Sequence, residues 1–178
     1  MTELVAAVRS GSRPKFVFFW GHQPSPTGQL TASCLSQWWP ARFTVDGREF
    51  ASAEHYMMWS KATLFGDTER ADEILQARSP AQAKDIGRAV EGFDEDVWVD
   101  NWWRIVIEAS VAKFGSDPKL ATYLLGTARR VLVEASPVDK VWGIGLPADS
   151  DQAENPEQWR GLNLLGFALM EARHNIES

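Results

Sequence analysis

Apolar residues recur along this chain in two periods, and each change of period marks a predicted element. Phe16-Val17-Phe18-Phe19-Trp20 is an unbroken apolar run between Pro14 and Gly21, which predicts a short strand. A loop rich in Gly, Pro, Ser and Thr follows from Gly21 to Ser33 and is a candidate rim. Arg42-Phe43-Thr44-Val45 and Arg48-Glu49-Phe50 flank Asp46-Gly47, the pair that a two-residue hairpin turn prefers. Beyond the hairpin the pattern becomes helical. Ser52 is placed to cap a helix running through Glu54 and Lys61, and residues 67 to 77 form the next. Ser79-Pro80 supplies a cap and a first-turn proline for a helix ending near Gly87. Asp94 caps a long helix to about Phe114, in which Trp98, Trp102, Ile105, Ala109 and Ala112 repeat at spacings of four and three. Asp117-Pro118 opens another helix to Gly126, Val131-Leu132-Val133-Glu134 reads as a strand, and a last helix runs from Asn163 to Ile176. The acidic stretch from Ala148 to Gln158 reads as a solvated loop. The predicted fold is mainly α (α+β): one multi-helical domain over residues 16–178 with a small β-hairpin and short strands. Residues 1–15 lack clear periodicity and read as a flexible arm.

Composition narrows what such a domain can do. At 178 residues and 44% hydrophobic content, the chain can bury a core and enclose a pocket. Its net charge of -6 argues against holding long nucleic acid on a basic surface, a mode that neutralises many phosphates. A short or locally held nucleic-acid substrate stays compatible. Cys34 is the single cysteine, so no internal disulfide forms, and no Cys/His cluster has metal-ligand spacing. The run at Phe16 is too short to span a bilayer and lacks a signal-peptide layout. A cytoplasmic, metal-free protein is therefore expected. Nine tryptophans are the one oddity, and their flat faces suit both a core and the stacking of a heteroaromatic ring.

The candidate chemistry centres on Glu54 and Lys61. Seven residues at about 100° each fall some 20° short of two turns, so the pair lies on one stripe of a helix with Cα atoms about 10 Å apart. A small substrate fits between them. Apolar surroundings help a lysine lose its proton and act as a nucleophile, beside a carboxylate that shuttles protons. A structural account is also open: a glutamate in the first turn and a lysine in the last each complement the helix dipole. Ser36 and Gln37 offer a hydroxyl and an amide beside Trp38 and Trp39. Asp139, Trp142, Gly143 and Gly145 form a second cluster, where glycines let backbone approach a ligand and the carboxylate can bind a sugar hydroxyl, or where a plain Asx turn precedes a strand. Trp98 shares its helix face with Trp102, which fits core packing as well as a pocket wall. His55 points about 100° away from Glu54 and is not read as a base.

The ordered segments resemble those of the YbiA-like, or NADAR, domain family. They are Phe19-Trp20, Leu35-Ser36-Gln37-Trp38-Trp39-Pro40, Ser52-Ala53-Glu54-His55-Tyr56 with Lys61, Gly87-Arg88, Trp98, Lys113-Phe114, Leu124-Leu125-Gly126-Thr127, Leu132-Val133-Glu134-Ala135, Asp139-x-x-Trp142-Gly143-x-Gly145, and Gly161-Leu162-Asn163-Leu164-Leu165-Gly166. They span about residues 16 to 176. The family usually shows an asparagine and smaller aromatics where Gln37-Trp38-Trp39 stands, and a methionine at Val106; the loop from Gly21 is also longer than a minimal member needs. The resemblance implies an N-glycosidase that cleaves between ribose C1 and a base nitrogen. Its implied substrates are ADP-ribosylated guanine in single-stranded nucleic acid, or the ribosylamino-pyrimidine phosphate intermediates of riboflavin biosynthesis. It implies Glu54 as proton shuttle and Lys61 as the amine that traps the sugar as a Schiff base. Trp98 and Trp142 would stack on a base or wall the sugar, and Asp139 with the Gly143 to Gly145 backbone would hold ribose or phosphate. Trp20, Ser36 and Gln37 fall within the matching motifs, and Asn163 either contacts ligand or caps the last helix. No metal, organic cofactor or membrane contact is implied, and a toxin or biosynthetic partner is left open. A non-catalytic ADP-ribose or nucleotide-binding module is the alternative, although such a reader has no need of a nucleophilic amine.

Overall fold

The computed structural model describes residues 1–177, and the chain divides into two compact units, Met1–Ser36 with the chain from Thr122, and Gln37–Ala121. The domain expected over 16–178 is built from both, and its last residue, Ser178, lies outside the described residues. In chain order the elements are α1 (Thr2–Arg9), β1 (Phe16–Phe19), a 3-10 turn (Ala32–Leu35), β2 (Phe43–Val45), β3 (Arg48–Phe50), α2 (Ala53–Leu64), α3 (Thr68–Leu75), α4 (Pro80–Arg88), α5 (Glu95–Gly115), α6 (Pro118–Gly126), β4 (Val131–Glu134), a second 3-10 turn (Pro156–Gln158) and α7 (Leu164–Glu177). The mainly α architecture with a small hairpin is as expected.

In the unit of residues 37–121, α2 occupies the middle, with α3, α4, α5 and β3 against it. Asp46 and Gly47 both take left-handed backbone, with φ of 49° and 75°, as a tight hairpin turn requires. The hairpin pairs Phe43 with Phe50 and stacks both on Tyr56 of α2, the Phe50 and Tyr56 ring centroids lying 5.0 Å apart and nearly perpendicular. The Tyr56 hydroxyl donates to Glu108 of α5 at 2.9 Å; burial and that carboxylate together push the phenol up to about 12. Helix α5 keeps only part of its expected stripe. Ile105 and Ala109 are buried as anticipated, but Val106, Ser110 and Lys113 join them while Ala112 is only half-buried, so the inward face turns along the helix.

The start of α2 is tied down by a closed set of hydrogen bonds. Ser52 Oγ accepts from the His55 backbone N–H and lies 2.7 Å from His55 Nδ1, while His55 Nε2 lies 3.2 Å from the Ala77 carbonyl. A carbonyl can only accept, so Nε2 carries the proton and Nδ1 accepts from the serine hydroxyl. Burial lowers the His55 pKa below 6.5, consistent with this neutral ring.

In the other unit, β1 and β4 pair in parallel with Phe16 opposite Val131. Val131, Val133, Ile144, Leu146 and Ala153 form a buried cluster, against which Leu4, Phe16, Phe18, Trp159 and Met170 pack. Two expectations are corrected here. The first fifteen residues, read as a flexible arm, contain a helix whose Leu4 reaches this cluster and whose Arg9 pairs with Glu157. The stretch from Ala148, read as solvated, buries Ala153 and Pro156, and the Trp159 indole N–H donates to the Ala153 carbonyl at 2.7 Å. The second segment looks polar because its few apolar residues are isolated in sequence.

Helix α7 lies against β4 so closely that a Cβ on Gly166 would stand 2.0 Å from the Leu132 carbonyl oxygen. Gly166→Ala is expected to lower stability by about 2 kcal/mol or more, since backbone cannot yield as a side-chain tip does. Gly115→Ala, where nothing lies within 4 Å, serves as control; equal thermal melts for the two variants would remove the close approach from the account. Because folded His55 resists the proton that the unfolded chain accepts, its contribution to stability is whole above pH 6.5 and declines as pH falls below it, by up to about 1.4 kcal/mol per pH unit. The slope of melting temperature against pH over that range should flatten in His55→Gln.

Candidate functional site

Glu54, Lys61, Gln37 and Trp98 belong to the unit of residues 37–121. Ser52 caps α2, which places Glu54 in its first turn, where backbone N–H groups lack partners within the helix and a negative charge is favoured. One of these, the Glu54 N–H, donates to the Gln37 carbonyl at 3.1 Å. Gln37 is therefore fixed against the start of α2. Its side chain is 8% exposed, and Oε1 is buried with no hydrogen-bond partner among the described residues. A buried acceptor left unmatched costs about 1–3 kcal/mol, which a ligand hydroxyl or N–H could recover. Glu54 itself is 3% exposed.

Lys61 stands two turns further along α2 and is half-buried. Its Nζ donates to the Gly87 carbonyl at 2.8 Å, lies 4.2 Å from the centre of the Phe93 ring and 6.0 Å from that of Trp98. Gly87 explains how the reach is achieved. A Cβ there would meet Met58 Sδ at 2.2 Å, so only glycine lets the last turn of α4 come down onto α2 and present its carbonyl to the amine. The bond serves α4 as a cap, because carbonyls in a last helical turn lack N–H partners. Burial meanwhile lowers the Lys61 pKa. An amine of this kind reaches its neutral, nucleophilic form at lower pH than an exposed lysine. Among the expected residues, the structure thus brings Lys61 and Trp98 together. Phe93 was missed by sequence reasoning.

Trp20, Ser36, Asp139, Trp142, Gly143, Gly145 and Asn163 belong to the other unit. Trp20 is 60% exposed at the end of β1, and Ser36 is buried. Asp139 Oδ1 accepts from the backbone N–H groups of Val141 and Trp142, at 2.9 and 2.8 Å, which is the Asx-turn arrangement. The Gly145 N–H is taken by the Asp139 carbonyl at 3.1 Å, so that donor is engaged within the turn. Gly143 has no room for a Cβ, which would lie 2.8 Å from the Glu134 carbonyl oxygen. Asn163 is fully buried in left-handed backbone at φ 54°; its Nδ2 donates to the Leu132 carbonyl and its Oδ1 accepts from the Glu134 N–H, each at 2.9 Å. The asparagine's side chain works as a clamp on β4, and its carbonyl, directly before α7, accepts from the Phe167 N–H at 3.2 Å. Trp142 is half-buried beside this turn.

No group of three or more His, Cys, Asp or Glu side chains among the described residues could hold a metal ion, and no helix among them is long and apolar enough to cross a membrane. A shallow, open groove of about 680 Å³ lies between α3 and α4, lined by Glu69, Asp72, Glu73, Gln76, Gln82 and Ile86. None of the four residues named above for this unit lines it.

Comparison with known proteins agrees with this arrangement of segments. A NADAR domain profile matches residues 18–177. An N-glycosidase of Acanthamoeba polyphaga mimivirus is 43% identical over 166 residues, covering 89% of this chain and 95% of the viral protein. An N-glycosidase of Nostoc punctiforme is 30% identical over 145 residues, 82% of this chain and 86% of that protein. A chloroplastic riboflavin biosynthesis protein of Zea mays is 36% identical over 132 residues, which are 70% of this chain but 19% of the maize protein. Among solved structures, the E. coli protein YbiA superposes with a TM-score of 0.69 at 25% identity, over 93% of this chain and 87% of that one. With the profile spanning nearly its whole length, the chain belongs to the NADAR domain family.

Proposed function

We propose that this chain is an N-glycosidase, hydrolysing the bond between ribose C1 and a base nitrogen. The observation that carries the reading is the half-buried Lys61 amine, lowered in pKa and close to two aromatic rings, on the helix whose first turn bears the buried Glu54. Relatives named N-glycosidase that match along most of their length support it.

Departure of a base from ribose leaves positive charge shared between C1 and the ring oxygen, so the reaction needs a proton for the leaving nitrogen and a carboxylate near C1. Glu54 supplies the proton as the C1–N bond breaks, and its carboxylate then faces the cation. The neutral Lys61 amine adds to C1, one of its protons passes to the ring oxygen as the bond from that oxygen to C1 breaks and the ring opens, and an iminium links C1 to Nζ. Water adds to that carbon, Glu54 takes the released proton, and the amine leaves. The sum is riboside plus water giving free sugar and free base. The unmatched Gln37 oxygen is suited to accept from a ribose hydroxyl. Relatives named for riboflavin biosynthesis favour ribosylamino-pyrimidine phosphates as substrate. ADP-ribosylated guanine, which presents the same bond, is the second reading.

Release of free base, followed by chromatography from each substrate in turn, should fall by orders of magnitude in Glu54→Gln and in Lys61→Ala, with melting temperatures kept near that of the parent. Full activity in both variants would end the proposed mechanism. Borohydride added during turnover should fix sugar covalently to Lys61, read as a mass increment on its peptide, and this label should be missing from Lys61→Ala. The rate should rise with pH as the amine loses its proton, with an inflection below the ordinary lysine value of 10.5.

A further inference from the structure

Resting on that reading, we infer that Phe93 is the stacking platform for the leaving base, and that the carboxylates around it select a free heterocycle over a base carried in a nucleic-acid strand. Phe93 is 46% exposed, an unusual state for a phenylalanine that is otherwise well held. The loop carrying it is fastened at both ends: Asp67 Oδ2 accepts from the Glu91 N–H at 2.9 Å, and Asp94 caps α5 by accepting from the Val97 N–H at 3.0 Å. Gly92 turns the chain through left-handed backbone at φ 69°. The Phe93 ring meets Phe65 edge-on at 5.3 Å, and Lys61 Nζ lies 4.2 Å from its centroid. An aromatic ring is thus kept partly open to solvent, in a fixed orientation, at the amine that would attack C1. Trp98, also against Lys61, adds a second ring.

The leaving base departs from the carbon that Lys61 attacks, so it must lie close to these rings. Stacking on an aromatic face tolerates many heterocycles because every base has a π-face. Charge supplies the selection. Glu91, Asp94, Glu95, Asp96 and Asp100 are all exposed in the ten residues around Phe93 and Trp98, with no lysine or arginine among those ten. A free base brings no phosphate to this fringe. A base still joined to a strand brings the strand's phosphates with it, and they are repelled.

Binding can be measured apart from turnover in the Glu54→Gln protein, with guanosine as probe, since guanine contains the 2-aminopyrimidin-4-one ring, and with a short single-stranded oligonucleotide containing guanine. Phe93→Leu, which keeps bulk but loses the ring face, should weaken guanosine about tenfold, and Phe93→Tyr should restore it. The oligonucleotide should bind no better than guanosine at low salt, and should gain when Glu91→Gln, Glu95→Gln and Asp96→Asn are combined. Unchanged guanosine affinity in Phe93→Leu, or tighter binding of the oligonucleotide by the protein with its carboxylates intact, overturns the proposal. Base release by protein with Glu54 intact is read separately. Release without Phe93-dependent binding ends the platform and leaves the hydrolase; Phe93-dependent binding without release does the reverse.

Discussion

A helix buried on nearly every side must satisfy its own ends and its own charges inside the protein, and α2 is such a helix. Of its first six residues all are buried. The unmatched N–H groups at its start cannot turn to water, so they are met by Ser52 and by the Gln37 carbonyl. His55 extends the arrangement to Ala77, and the tautomer that this demands removes it from acid-base chemistry while making it a fastener. Glu54 owes its fixed position to these contacts. A carboxylate on an exposed helix start would serve the dipole equally well but would not be held in one place.

The two glycines that matter most act by the same means, the absence of a side chain where two backbones meet. Gly87 lets α4 approach Met58, and so delivers a carbonyl to Lys61; Gly166 lets α7 approach Leu132, and so brings Asn163 within reach of β4. In each case a polar side chain spans the contact and satisfies backbone that would otherwise be buried unmatched. Gly87, Gly143, Gly145, Gly161 and Gly166 within the family-like segments are therefore explained here by packing, whereas Gly126 has open space around it. That account does not require a ligand at Gly143 or Gly145, whose surroundings are filled by the chain itself.

What could be read from the residues, and what could not, follows from the range of each interaction. The Asp46-Gly47 turn and the caps at Ser52, Ser79 and Asp94 depend on neighbours within a few residues, and they formed as read. Helix α1 escaped because its anchoring leucine meets a core built from distant residues. Asn163 directly precedes α7 and was read as a ligand contact or a cap; its side-chain bonds to a strand some thirty residues earlier gave no local signal. Phe93 carried a faint signal, an aromatic among carboxylates just before a helix cap. Only the fold shows that Lys61 lies over its ring.

Lys61 poses the sharpest question, since a lysine that caps a helix and a lysine that attacks a sugar would ordinarily need opposite protonation states. A carbonyl acceptor and an aromatic face both favour the ammonium form, while burial opposes it, and here burial prevails. The conflict is smaller than it looks. A neutral amine still has two N–H groups and one lone pair, so it can keep its bond to Gly87 and present the lone pair elsewhere. In the proposed mechanism the hydrogen bond to Gly87 orients the amine without having to be broken for the reaction, and the cost of aligning it is met by the fold before any substrate arrives.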